Sequence, residues 1–148
     1  MSGPLPTVVT VEEAGADKYT QILHSGPHRL IADEPEDLGG QNRGPGPYEY
    51  LLMGLGACTN ITVRMYANMK NIPLERIQVI LSHRKVHLED GKDCEKSSQK
   101  IDEIVRDITL EGELTGEQRQ RLLKIANRCP VHQTLTSTVT IHTRLSSQ

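Results

Sequence analysis

From Pro47 to Lys70 the chain reads PYEYLLMGLGACTNITVRMYANMK, one unbroken helical stretch. A helix of that length dictates what can pack around it. Proline suits a first helical position, where its missing N–H costs nothing, and nothing afterwards breaks the run until Asn71 and Pro73. Some two dozen residues at about 1.5 Å each make a rod of roughly 35 Å, the breadth of a small domain. Leu51 to Ala57 is apolar or small on every side, the mark of a buried helix. Thr59, Asn60, Thr62 and Arg64 follow too soon for a membrane span. Gly54 and Gly56 each cost a helix about 1 kcal/mol relative to alanine, so another backbone is expected to approach there. Cys58 then lies in a packed interior, two residues past a gap made by glycine.

A chain of 148 residues is expected to form one domain, 1–148. Its net charge of −2, with no basic run, argues against a nucleic-acid partner. The N-terminal MSGPLPTVVT lacks the charged and apolar regions of a secretory signal. Three widely spaced cysteines form no disulfide framework, so cytoplasmic free thiols are expected. With no Phe, no Trp and four Tyr, the core must be aliphatic. A hydrophobic content of 36% is thin for a domain with an all-apolar helix to cover, which points to an obligate homodimer.

Before the helix, residues 7–13 and 18–24 are β-branched runs joined by the turn Ala14-Gly15-Ala16-Asp17. Ser25-Gly26-Pro27 leads into a third strand at 28–34. The segment PEDLGGQNRGPG, 35–46, is a loop. After the helix, 76–89 alternates, with Ile77, Val79 and Leu81 on one face and Ile80 out of step. Residues 100–114 fit a helical or a strand period. Their β-branched content, and the need of the preceding strand for a partner, favour a strand. Thr115 is an N-cap for a helix at 116–127. A short helix at 130–135 and a strand at 137–145 complete an α+β pattern.

Two cysteines carry the chemistry. Cys129 precedes Pro130, which makes it the N-cap of the last helix, facing unpaired N–H groups that favour a thiolate. Arg128 and His132 stand beside it. Cys94 lies between Asp93 and Glu95, which disfavour its thiolate. A lone buried cysteine is commonly a small hydrophobe, but Cys58 and Cys129, 71 residues apart, suggest a pair. One thiol attacks an oxidant and the second closes a disulfide on the resulting sulfenic acid. Zinc held by both cysteines with His132 or His28 is the competing chemistry, although no CxxC or HExxH spacing supports it. Cys–His hydrolysis lacks an orienting acid. The histidines at 24, 28, 83, 87 and 142 read as solvated or satisfied side chains in alternating strands. Leu51, Leu55, Cys58, Thr62, Met65 and Met69 share a helical face, read as an aliphatic pocket, a dimer core or both.

LLMGLGACTNITVRMYA together with RCPVHQTL resembles the OsmC/Ohr family of osmotically induced and organic hydroperoxide resistance proteins. HRLIADEPEDLGGQNRGPGPYEYLL is similar to its OsmC-like branch. The resemblance covers nearly the whole chain. It implies an α+β homodimer in which antiparallel sheets wrap around long central helices. It also implies a thiol-dependent peroxidase for organic hydroperoxides, reset by a dithiol reductant, with no cofactor and no metal. Cys58 would be the peroxidatic thiol and Cys129 the resolving one. For the family's activating arginine and glutamate the chain offers only substitutes off the family's positions, Arg29 or Arg43 for the arginine and Glu49 for the acid. The glutamate position ten residues before the cysteine is Tyr48 here, and the N-terminal turn AGAD has no arginine. Those departures motivate the alternative, a non-catalytic module that binds a small apolar or thiol-containing ligand.

Overall fold

The computed structural model describes residues 3–15, 18–87 and 99–146. The Cys94 turn lies outside these residues. The chain forms two compact units, Met1–Leu51 and Leu52–Gln148.

The first unit is a meander of three antiparallel strands, β1 (Thr10–Glu13), β2 (Gln21–Ser25) and β3 (His28–Ala32), in that order. The register runs Thr10↔His24 to Glu13↔Gln21 and Gln21↔Ala32 to Ser25↔His28. The first strand starts at Thr10, where its pairing with β2 begins opposite His24, rather than at residue 7. The loop that follows is organised by Asp33, a buried carboxylate. It accepts from the Thr20 hydroxyl at 3.0 Å and from the backbone N–H of Glu34 at 2.8 Å and Arg43 at 3.1 Å. Burial raises its pKa, but these donors outweigh it and hold the carboxyl below its ordinary value. A 3₁₀ turn at Glu36–Leu38 follows, and the chain then enters α1 (Pro47–Met69). Within this unit the Tyr50 hydroxyl donates to the Ile31 carbonyl at 2.6 Å.

In the second unit α1 continues to Met69. Then come β4 (Arg76–His87) and β5 (Lys100–Glu111), a long antiparallel pair in register from Arg76↔Glu111 to His87↔Lys100. The ambiguous 100–114 segment is thus a strand. Ile77, Val79 and Leu81 turn inward while Ile80 stays 63% exposed on the other face, as the alternation requires. α2 (Gly116–Ala126) opens with a full capping box: Thr115 accepts from the Gln118 backbone, and the Gln118 side chain accepts from the Thr115 backbone. α3 (Pro130–Leu135) follows directly.

The core is aliphatic, as a chain without Phe or Trp must make it. Val63, Ala67, Leu74, Leu122, Ile125 and Ala126 form its centre. Tyr66 borders it, accepting from Arg121 Nε at 2.9 Å, with that guanidinium 5.5 Å above its ring.

Three expectations change. Of the two helix glycines only Gly56 is a close approach: a Cβ there would lie 2.8 Å from Leu81 Cδ1, a side chain rather than a backbone. Gly54 faces open space. The strand expected at 137–145 does not form, since no described strand pairs with those residues; Val139, Ile141 and Leu145 are exposed. In the single chain the stretch Leu51–Ala57 is not buried on every side: Leu51 and Met53 are exposed, as are Ile61, Met65 and Met69 further along α1. No described helix is long and apolar enough to cross a membrane.

Leu122 is completely buried, whereas neighbouring Leu123 is 47% exposed. Leu122→Ala should lower the unfolding free energy by about 2–5 kcal/mol, and Leu123→Ala by no more than about 0.5 kcal/mol. Urea midpoints of the two variants check this.

Candidate functional site

Pro130 at the first position of α3 makes Cys129 its N-cap, and the Cys129 Sγ accepts the backbone N–H of His132 at 3.2 Å. Cys129 is completely buried. Cys58, near the middle of α1, is partly buried, and both cysteines are free thiols. The two side chains meet. Burial pushes the Cys58 thiol above its ordinary value. The Val131 N–H pulls it down, the neighbouring Cys129 thiol raises it, and the Thr62 hydroxyl lowers it. Cys58 thus rests as a protonated thiol between one sulfur and one N–H of the α2–α3 corner.

Beside the pair stands Arg106 of β5. Its Nη1 donates to Thr59 Oγ1 at 2.9 Å and to the Ala126 carbonyl at 3.2 Å. Its Nη2 donates to Asn127 Oδ1 at 2.8 Å and to His132 Nδ1 at 3.1 Å. Thr59, wholly buried, in turn donates to the Leu55 carbonyl at 2.7 Å. Burial, and then the Arg106 charge, lower the His132 pKa. The sequence reading did not single out Arg106. The available signal was an arginine at an inward position of an otherwise apolar strand face, Ile104–Arg106–Ile108–Leu110.

A cavity of about 220 Å³ adjoins this network, with Leu55, Ile104 and Leu135 on its apolar side and Asp102, Arg106 and His132 on its polar side. Of the expected aliphatic pocket only Leu55 lines it. Met65 lines a separate open groove with Asn60, Ile61 and Arg64. Leu51 and Met69 are exposed.

Arg29 and Glu49 belong to the first unit. Arg29 is exposed on β3 opposite His24, and Glu49 is exposed in the first turn of α1. Arg43 uses its backbone N–H on Asp33. His24 lies 3.3 Å from Glu12, and His83 lies 2.8 Å from Asp102, which also accepts from Lys85 at 2.9 Å. No group of three or more His, Cys, Asp or Glu among the described residues could hold a metal ion.

The sequence model of the OsmC-like proteins matches residues 40–144, a span that takes in both cysteines and the Arg106 network. The chain belongs to the OsmC-like family. Solved structures agree at the level of fold. An organic hydroperoxide resistance protein OsmC from Legionella pneumophila is 16% identical with a TM-score of 0.66, covering 91% of this chain and 92% of that one. An OsmC-like protein from Mycoplasma pneumoniae is 19% identical with a TM-score of 0.68, covering 88% and 87%. An organic hydroperoxide resistance protein from Elizabethkingia anophelis is 18% identical with a TM-score of 0.65, covering 92% and 91%. Among curated proteins none matches the sequence significantly.

The environment of Cys58 sets its reactivity. Its alkylation by iodoacetamide, followed by peptide mass, should titrate above the range of an ordinary cysteine. Thr62→Val, which removes a lowering influence, should move the midpoint higher. A midpoint below that of a free cysteine would contradict the geometry.

Proposed function

We propose that this OsmC-like chain is a thiol-dependent peroxidase for organic hydroperoxides, working through Cys58 and Cys129. The observation that carries the reading is the meeting of two free thiols at the α2–α3 corner, one partly exposed and one buried. The Cys58 thiolate attacks the distal oxygen of ROOH and breaks the O–O bond. The alkoxide takes a proton and leaves as ROH, and Cys58 becomes a sulfenic acid. The Cys129 sulfur then attacks the Cys58 sulfur, forming the disulfide and releasing water. A dithiol reductant reduces the disulfide and is itself oxidised to one. Arg29 and Glu49 are proposed to favour the Cys58 thiolate, standing in for the arginine and glutamate of the family pattern.

A homodimer of single-domain chains is part of the proposal. Two surfaces support it: the exposed apolar residues Met53, Ile61, Met65 and Met69 of α1, and the unpaired Val139, Ile141 and Leu145. A lone chain leaves both in water at a cost that a second copy would remove.

One observation favours a second reading, a non-catalytic module that binds a small ligand: the Cys58 thiol is pushed up, away from the thiolate that attacks peroxides. Kinetics separate the two. With a dithiol present, the wild type should consume cumene hydroperoxide, and Cys58→Ser should consume none. Cys129→Ser should react once and accumulate a sulfenic acid that dimedone traps. A Cys58→Ser variant that retains most turnover would overturn the peroxidase reading, and an inert wild type would favour the binding module.

A further inference from the structure

Arg106 is paired in register with Leu81. Side chains of paired residues lie on the same face of a sheet, and Leu81 is the residue that closes on Gly56 of α1. The Arg106 side chain therefore rises toward α1 beside a contact too tight to slide. Its four hydrogen bonds reach three elements: Thr59 on α1, Ala126 and Asn127 at the end of α2, and His132 on α3. Thr59 follows Cys58 in the chain, and the His132 backbone N–H is bound to the Cys129 sulfur.

We propose that Arg106 is a positioning residue for the Cys58–Cys129 pair, clamping the helix of one sulfur to the cap of the other through Thr59 and a neutral His132. This rests on the thiol-pair reading and extends it to what sets the ease of disulfide closure.

The protonation state follows from donors and acceptors. A guanidinium has only N–H donors and does not deprotonate in proteins. His132 Nδ1 must then be the acceptor, and the neutral ring carries its proton on Nε2. Protonation of Nδ1 would set N–H against N–H and cation against cation. Among the described residues, Arg106 of β5 meets the ring directly, and Asp102 of the same strand shares the lining of the adjoining cavity. Lys85 and His83 hold Asp102 below its ordinary pKa, so it stays charged and is engaged by those two groups of β4. Burial and Arg106 prevail, and the folded His132 titrates below its ordinary value. The clamp is therefore complete above the ordinary histidine range and is lost as pH falls through the lowered value.

The test reads the disulfide equilibrium, which needs no peroxide. Protein dithiol plus oxidised glutathione gives protein disulfide plus two reduced glutathione, and the linked Cys58–Cys129 peptides are quantified by mass after approach from both sides. Arg106→Met and His132→Leu should each shift the balance toward dithiol by at least about fivefold, on the order of 1 kcal/mol. Far-UV circular dichroism should stay unchanged. His132→Asn should restore the balance, because its Oδ1 can accept where Nδ1 did. It should also abolish the acid sensitivity expected of the wild type as pH falls below the ordinary histidine range.

A smaller shift in folded Arg106→Met and His132→Leu, or no rescue by His132→Asn, overturns the proposal. If Arg106→Met does not fold, His132→Leu decides alone, since it keeps the Arg106 bonds to Thr59, Ala126 and Asn127. A wild type that closes the disulfide but consumes no hydroperoxide defeats the peroxidase reading and leaves this one standing. Normal turnover with an unshifted equilibrium defeats this one only.

Discussion

One guanidinium joins sheet to helices in the second unit. A cation drawn partly against the inner face of a sheet loses hydration, and acceptors for its N–H groups offset that loss. The two terminal nitrogens of Arg106 find such acceptors in a hydroxyl, a carbonyl, a side-chain amide oxygen and an imidazole nitrogen. The carbonyl of Ala126 belongs to the last turn of α2, where backbone acceptors have no partner in the helix itself. The same side chain therefore finishes α2, anchors α3 and grips α1. The contact of Leu81 with Gly56 fixes the height from which it reaches.

The surroundings of Cys58 balance opposing influences. Burial keeps its proton on, while an N–H of the α2–α3 corner and a threonine hydroxyl loosen it. None of the main influences is a cation. The guanidinium of Arg106 is engaged by neutral acceptors, in keeping with the positioning role proposed for it. Activation of the thiolate is a separate task, and Arg29 and Glu49 are the residues proposed for it.

Much of this was legible from residue order. Element type followed from hydrophobic period, helped at 100–114 by β-branched content, and the starts of α1, α2 and α3 followed from Pro47, Thr115 and the Cys129-Pro130 step, all local signals. The pair of glycines misled, because residues two apart on a helix point about 200° from each other and only one can face a sheet. The run 137–145 alternates like a strand, but a strand also needs a neighbour, and alternation says nothing of where one is. Arg106 was hidden for a related reason. Its partners lie 20 to 47 residues away in sequence, and an arginine within an alternating segment reads as solvated until the register puts it on the inner face.

The absence of tryptophan gives the Tyr66–Arg121 contact an optical role. Tyr19, Tyr48 and Tyr50 belong to the first unit, and Tyr66 is the sole tyrosine of the second. Its hydroxyl and ring are both engaged by one guanidinium, which draws its pKa below the ordinary value. Ultraviolet difference spectra of that phenol thus carry a signal native to the cysteine-bearing half of the chain, with no label added.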